Sequence, residues 1–140
     1  MTVTSTPIYP QTINTPTVQI LPATTTTLVT LYTAGTNGSK IENIFLTNTD
    51  TAAAYAITFS LTIGGTTSIL GTVNVPISAG NTTAVPAVSL MQSSNLPFSY
   101  DAFGNPYIYI ATGGVLKANS GTTVNTGKIV AITCTSSGDF

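Results

Sequence analysis

Four carboxylates, Glu42, Asp50, Asp101 and Asp139, are the only acids in this 140-residue chain, and there is no histidine to work beside them. A glycosidase needs two carboxyls about 5–9 Å apart. Asp50 and Asp101 are the pair that the loops at one end of a β domain could bring together. Each also stands in a turn-forming context, Asn48-Thr49-Asp50-Thr51 and Asp101-Ala102-Phe103-Gly104-Asn105, where a short carboxylate bonds its own backbone. That is the commoner role and the one expected here. Ser and Thr are abundant, but as nucleophiles they need a base, and neither His nor a placed Lys supplies one. The Asp101–Asn105 stretch offers oxygen ligands, yet it lacks the alternating acids and closing Glu of a calcium loop. Cys134 is alone in an apolar run and is expected to be a buried small hydrophobe. The residues predict no enzyme, no cofactor and no metal site.

Charge narrows the partners. Only 5% of residues are charged, with a net charge of −1, against about 25% charged in an ordinary soluble domain. Lys40, Lys117 and Lys128 are scattered, so no nucleic-acid partner is expected. Hydrophobic residues make up 42% of the chain, enough for a folded core. The polar surface must therefore be built from neutral hydroxyls and amides. A small free-standing domain usually keeps a net charge of magnitude ~2–8. A chain with so little suits a surface largely covered by a permanent partner. The start, MTVTSTPIYPQT, has neither the basic nor the apolar region of a secretory signal. No stretch approaches the ~20 apolar residues of a membrane helix. The expectation is a protein held in the cytoplasm until it is assembled, with no membrane partner.

These side chains must be positioned by strands. Residues 1–16 are polar and Thr-rich, with Pro7, Pro10 and Pro16, and predict an extended arm rather than a helix. From residue 17 to 140 the period is two. Tyr55-Ala56-Ile57-Thr58-Phe59-Ser60-Leu61-Thr62-Ile63 alternates large apolar with small or polar residues, as a half-buried strand does. Gly64-Gly65 follows, and the pattern resumes at Ile69, Val73 and Val75, which predicts a tight antiparallel hairpin. Further strands are predicted at about 17–22, 26–33, 40–48, 84–90, 107–111, 114–118 and 123–135, with one short helical turn near Leu90-Met91-Gln92. Regular turn signals between short strands predict an all-β antiparallel sandwich, jelly-roll-like. Segments such as Leu28–Tyr32, Lys40–Asn48, Tyr107–Ile110 and Ile129–Ile132 are apolar on both parities. Such strands are covered on both faces, by a second subunit or by bends within the chain.

Three blocks carry a resemblance: Gly38-Ser39-Lys40-Ile41-Glu42-Asn43-Ile44-Phe45-Leu46-Thr47-Asn48-Thr49-Asp50-Thr51-Ala52, then Gly71-Thr72-Val73-Asn74-Val75-Pro76-Ile77-Ser78-Ala79-Gly80, then Tyr100–Asn105. With the end Gly127–Ile132 and Ser137–Phe140, they resemble small virion structural proteins of tailed bacteriophages, especially head decoration (cement) proteins. The likeness covers roughly residues 26–140 and lies in style and turn motifs. It implies a non-enzymatic β-sandwich that forms homo-oligomers, commonly trimers. Such a protein binds the major capsid protein on the assembled head.

The expected partner contacts are Ile8, Tyr9, Ile13 and Val18 of the arm and its junction, with the aromatic loop of Phe98, Tyr100 and Phe103. An alternative places the chain in a tail or fibre as a carbohydrate-recognition module, with Tyr100, Asp101, Phe103 and Asn105 as its site.

Overall fold

The computed structural model describes residues 9–24, 26–92 and 95–140. Strands make up 53% of the described residues and helix 5%, as the abundance of β-branched Thr, Val and Ile dictates. In chain order the strands are β1 (Thr12–Asn14), β2 (Thr17–Ile20), β3 (Val29–Thr33), β4 (Ser39–Asn48), β5 (Tyr55–Ile63), β6 (Thr66–Val75), β7 (Val88–Ser89), β8 (Ser99–Tyr100), β9 (Pro106–Ile110), β10 (Val115–Ser120) and β11 (Val130–Asp139). Pro22–Thr24 and Leu90–Gln92 are single 3-10 turns, the second where a helical turn was expected.

The strands form two antiparallel sheets. One runs β1-β11-β4-β9-β8, with β2 also on β11 and β7 also on β4; the other runs β3-β10-β5-β6. The eight principal strands thus interleave as β2-β11-β4-β9 facing β3-β10-β5-β6, a jelly-roll-like sandwich. The Gly64-Gly65 hairpin joins β5 to β6 as predicted, and both glycines have positive φ, 58° and 82°. Two positive values in succession are what a type I′ turn requires.

Between the sheets lies one core. Ile41, Ile44 and Leu46 of β4 and Ile132 and Cys134 of β11 meet Ile57 and Phe59 of β5 and Leu116 of β10, all fully buried. Cys134 is a free, buried thiol, and burial pushes its pKa up to about 12. No buried polar side-chain atom lacks a partner among the described residues.

Several strand boundaries differ from expectation. Of residues 84–90 only Val88–Ser89 join a sheet, against Leu46 and Phe45 of β4, while Val85 makes an isolated bridge with Thr82. Residues 123–129 form a loop, and β11 begins at Val130 and continues to Asp139. β1 and β8 were not foreseen. The two-sided apolar strands are largely explained within the chain. A bulge between Leu116 and Lys117 in the β10–β3 register lets Leu31 and Tyr32 both face inward. On β4, outward Phe45 is half-buried opposite Ser89, and Thr47 lies under Gly80. Of these two-sided segments, Tyr107–Ile110 on β9 keeps an outward aromatic, Tyr109, that is more than half exposed.

Candidate interaction surface

One register row crosses the outer face of the larger sheet. Ile13 of β1 pairs with Gly138 of β11, Gly138 with Lys40 of β4, and Lys40 with Tyr109 of β9. Their neighbours Ser39, Ile41 and Ile110 are buried, so alternation turns the row outward. Ile13 is 83% exposed and Tyr109 56%. A Cβ at Gly138 would lie 2.6 Å from Cβ of Pro10 and 2.9 Å from the carbonyl oxygen of Thr12. The arm therefore passes over Gly138 in close contact, and only glycine leaves room for it. Tyr9, the next residue outward, is 71% exposed.

Where the arm is described, it is held from within the chain. β1 runs antiparallel to the end of β11, and the N–H of Gln11 donates to the carbonyl of Asp139 at 2.8 Å. Asp139 is the anchor of this corner. Its carboxylate accepts from Nδ2 of Asn14 at 2.8 Å, from the hydroxyl of Tyr32 at 2.9 Å, from the Ser39 hydroxyl and from the N–H of Gly35. Burial alone would raise its pKa, but the hydrogen bonds from Ser39, Tyr32 and Asn14 outweigh it and hold the carboxyl below its usual range.

Beside the row lies a groove of about 420 Å³, lined by Lys40, Glu42 and Asn43 of β4, Ser89, Met91 and Gln92, Asp101, Asn105, Pro106 and Tyr107, and Ser136. Lys40 Nζ is 2.7 Å from Glu42 Oε1 and 4.8 Å from the centre of the Tyr107 ring. This hydrogen bond lowers the pKa of Glu42 and raises that of Lys40. The hydroxyl of Ser136 donates to Glu42 Oε2 at 3.1 Å. Tyr107 meets Tyr109 edge-on, with ring centres 4.6 Å apart.

The expected partner residues divide. Tyr9, Ile13, Tyr100 (64% exposed) and Phe103 (92% exposed) present open apolar surface. Val18 and Phe98 are half-buried and pack against the core. Ile8 lies outside the described residues. The Asp101 loop is closed on itself: Oδ1 accepts from the N–H groups of Phe103 and Asn105, both at 2.8 Å, and Oδ2 from Nδ2 of Asn105 at 2.9 Å. The side-chain bond from Asn105 is the main cause of the lowered Asp101 pKa.

Asp50 also forms the turn expected of it, accepting from the N–H groups of Ala52 and Ala53. It follows the end of β4, whereas Asp101 is near enough to Lys40 at the strand's start for their charges to interact. Eight residue steps of strand separate Lys40 from Asn48, about 26 Å at ~3.3 Å each. The two acids are not brought together as a catalytic pair. Lys40 and Lys117 point from opposite outer faces, Lys117 being paired with Ser60 and Thr30 on the smaller sheet. Among the described residues, no group of three or more His, Cys, Asp or Glu could hold a metal ion. No helix there is long and apolar enough to cross a membrane.

No protein-family model matches the chain. No curated protein matches it either. Two crystal structures of a pentameric capsid protein isolated from metagenomic phage sequences overlap it. One is 22% identical with a TM-score of 0.37, covering 90% of this chain and 68% of that one. The other is 21% identical with a TM-score of 0.39, covering 91% and 66%. The chain thus spans about two thirds of each. Overlap at this level fixes neither assembly nor partner.

Proposed function

We propose that this chain is a non-enzymatic structural protein of a tailed-bacteriophage virion, a head decoration protein that binds the assembled major capsid lattice and stabilises it. The sequence blocks around Gly38–Asp50, Gly71–Gly80 and Tyr100–Asn105 support the class. The observation that carries the reading is the outward row Ile13–Gly138–Lys40–Tyr109, with the arm laid over its glycine. Large apolar side chains exposed in a chain with 3 Lys and 4 acids mark a face that gains by being covered.

The mechanism is linkage. A protein that binds only the completed lattice stabilises it by mass action. Repeated copies, each burying on the order of 1,000 Å², add up through multivalency. The chain acts as a homo-oligomer, with the trimer as the order the resemblance implies. It is made in the host cytoplasm and ends on the virion.

The test is co-sedimentation of the purified chain with expanded heads, alongside a variant lacking residues 1–16. Saturable binding that weakens on deletion is expected, with light scattering reporting an oligomer before heads are added. A chain that stays monomeric at high concentration and ignores heads overturns the reading. Immunogold label confined to the tail would move it from head to tail.

A further inference from the structure

We propose that the groove beside the outward row is a binding site for a neutral, hydroxyl-rich ligand, a glycan, built from Asn43, Gln92, Asn105 and the Tyr107 wall. The proposal stands apart from the virion role and holds wherever the chain is located.

The groove's volume, about 420 Å³, falls in the range of small-ligand sites, roughly 300–1,000 Å³. Its lining decides the chemistry. The side-chain amides of Asn43 and Gln92 make no hydrogen bond to other described residues, so both their donors and their acceptors are open. Asn105 spends one of its two Nδ2 donors on Asp101 and keeps its side-chain oxygen Oδ1. Lys40 spends one of its three N–H donors on Glu42. Each Glu42 oxygen takes one bond, from Lys40 or Ser136, and retains a second lone pair.

Such a wall accepts and donates side by side. A sugar's vicinal hydroxyls do the same, whereas a sulfate or a fully ionised phosphate ester offers only acceptors and would leave the amide and carboxylate oxygens unmatched. Charge points the same way: Lys40 against Glu42 and Asp101 leaves the groove with one net negative charge, which repels anions. Tyr107 supplies the apolar wall, fixed by its edge contact with Tyr109 and the ammonium of Lys40.

The pieces come from four places: β4, the 3-10 turn at Leu90–Gln92, the Asp101–Asn105 loop and the start of β9. The loop expected to bind sugar supplies only one rim. Its Asp101 carboxylate is occupied by its own turn, and recognition falls to the amides around it.

The experiment titrates the full chain, labelled with ¹⁵N, with maltoheptaose, cellohexaose and chitohexaose, and with sialyllactose as the anionic control. A neutral-glycan array is probed in parallel. At least one neutral glycan is expected to bind with Kd of about 1 mM or tighter. It should shift the amide signals of Asn43, Gln92, Asn105 and Tyr107, while sialyllactose shifts none of them. The double variant Asn43→Ala with Gln92→Ala, both at the surface, should keep its Tm and lose at least tenfold in affinity. No binding across array and titration, shifts located elsewhere, or a double variant that binds undiminished would each overturn the proposal.

Discussion

The hydroxyl of Tyr55 donates to Oδ2 of Asp50 at 2.6 Å, inside the sandwich, where both residues are almost wholly shielded from solvent. Nδ2 of Asn125 donates to the same oxygen at 2.8 Å, and the Tyr55 oxygen accepts from the N–H of Asn125 at 2.9 Å. Asp50 thus ties the β4–β5 turn to the loop before β11. Tyr55→Phe removes the shortest of these bonds and leaves the Asn125 N–H without its acceptor. Thermal unfolding should show Tm lowered by roughly 3–10 °C, and an unchanged Tm would deny the network its role.

Acid should weaken the fold through the same carboxylate. The Tyr55 hydrogen bond, with those from Ala52 and Asn125, lowers the Asp50 pKa from 3.8 to about 2. A depressed folded-state value means the stabilisation is fully present above the unfolded pKa and is lost as pH falls from about 4 through about 2. Asp139, also lowered, acts in the same direction. Urea midpoints measured across this window should fall with pH, and the slope should flatten in Asp50→Asn.

Cys134 should be silent to thiol reagents while the protein is folded. Its thiolate is disfavoured by burial and its sulfur has no access to solvent. Labelling at pH 8 is expected only in denaturant. Cys134→Ser should cost about 1–3 kcal/mol, because a hydroxyl is placed in an apolar site.

Gly138→Val tests the arm without deleting it. The new side chain would fall on Pro10 and on the carbonyl of Thr12, forcing residues 10–14 away from β11. Limited proteolysis should cut near residue 14 far faster than in the parent. Head binding should drop toward that of the variant lacking residues 1–16, and tight binding with a displaced arm would separate the two.

Phe103→Asp and Ile13→Asp change side chains that touch almost nothing in the chain. Their Tm should stay within about 1–2 °C of the parent. Oligomerisation or head binding should fall at least tenfold for one of them, read by light scattering and co-sedimentation. Full retention by both would leave the apolar face without a partner.

The sequence made some of this legible and hid the rest for physical reasons. Period-two alternation in Tyr55–Ile63 and the double glycine after it specify a hairpin locally, and the hairpin forms there. Thr135–Asp139 contains no large apolar residue and looks like a loop. It is a strand because β4 and β1 flank it on both sides. Bulges were equally hidden, since one inserted residue shifts the inward parity and makes Leu31-Tyr32 look two-sided. At the surface, Tyr100 and Phe103 are exposed while Phe98 packs against the core, a division that an aromatic-rich loop sequence does not specify. Asn43, Gln92 and Tyr107 had no signature, because sheet pairing brings them together and no spacing does.

The pairing of β4 with β11 joins residues 39–48 to residues 130–139, about ninety positions further along. Long-range antiparallel partners of this kind close late and slow the search for the native state. During synthesis the smaller sheet's β5–β6 ribbon can zip at once, but the larger sheet has no middle until residue 139 has cleared the ribosome. Until then a nascent chain can cover β4 only along the edge that takes β7 and β9 and leaves the β11 edge unpaired, and in the cell a holdase that shields this edge should raise the yield of folded protein.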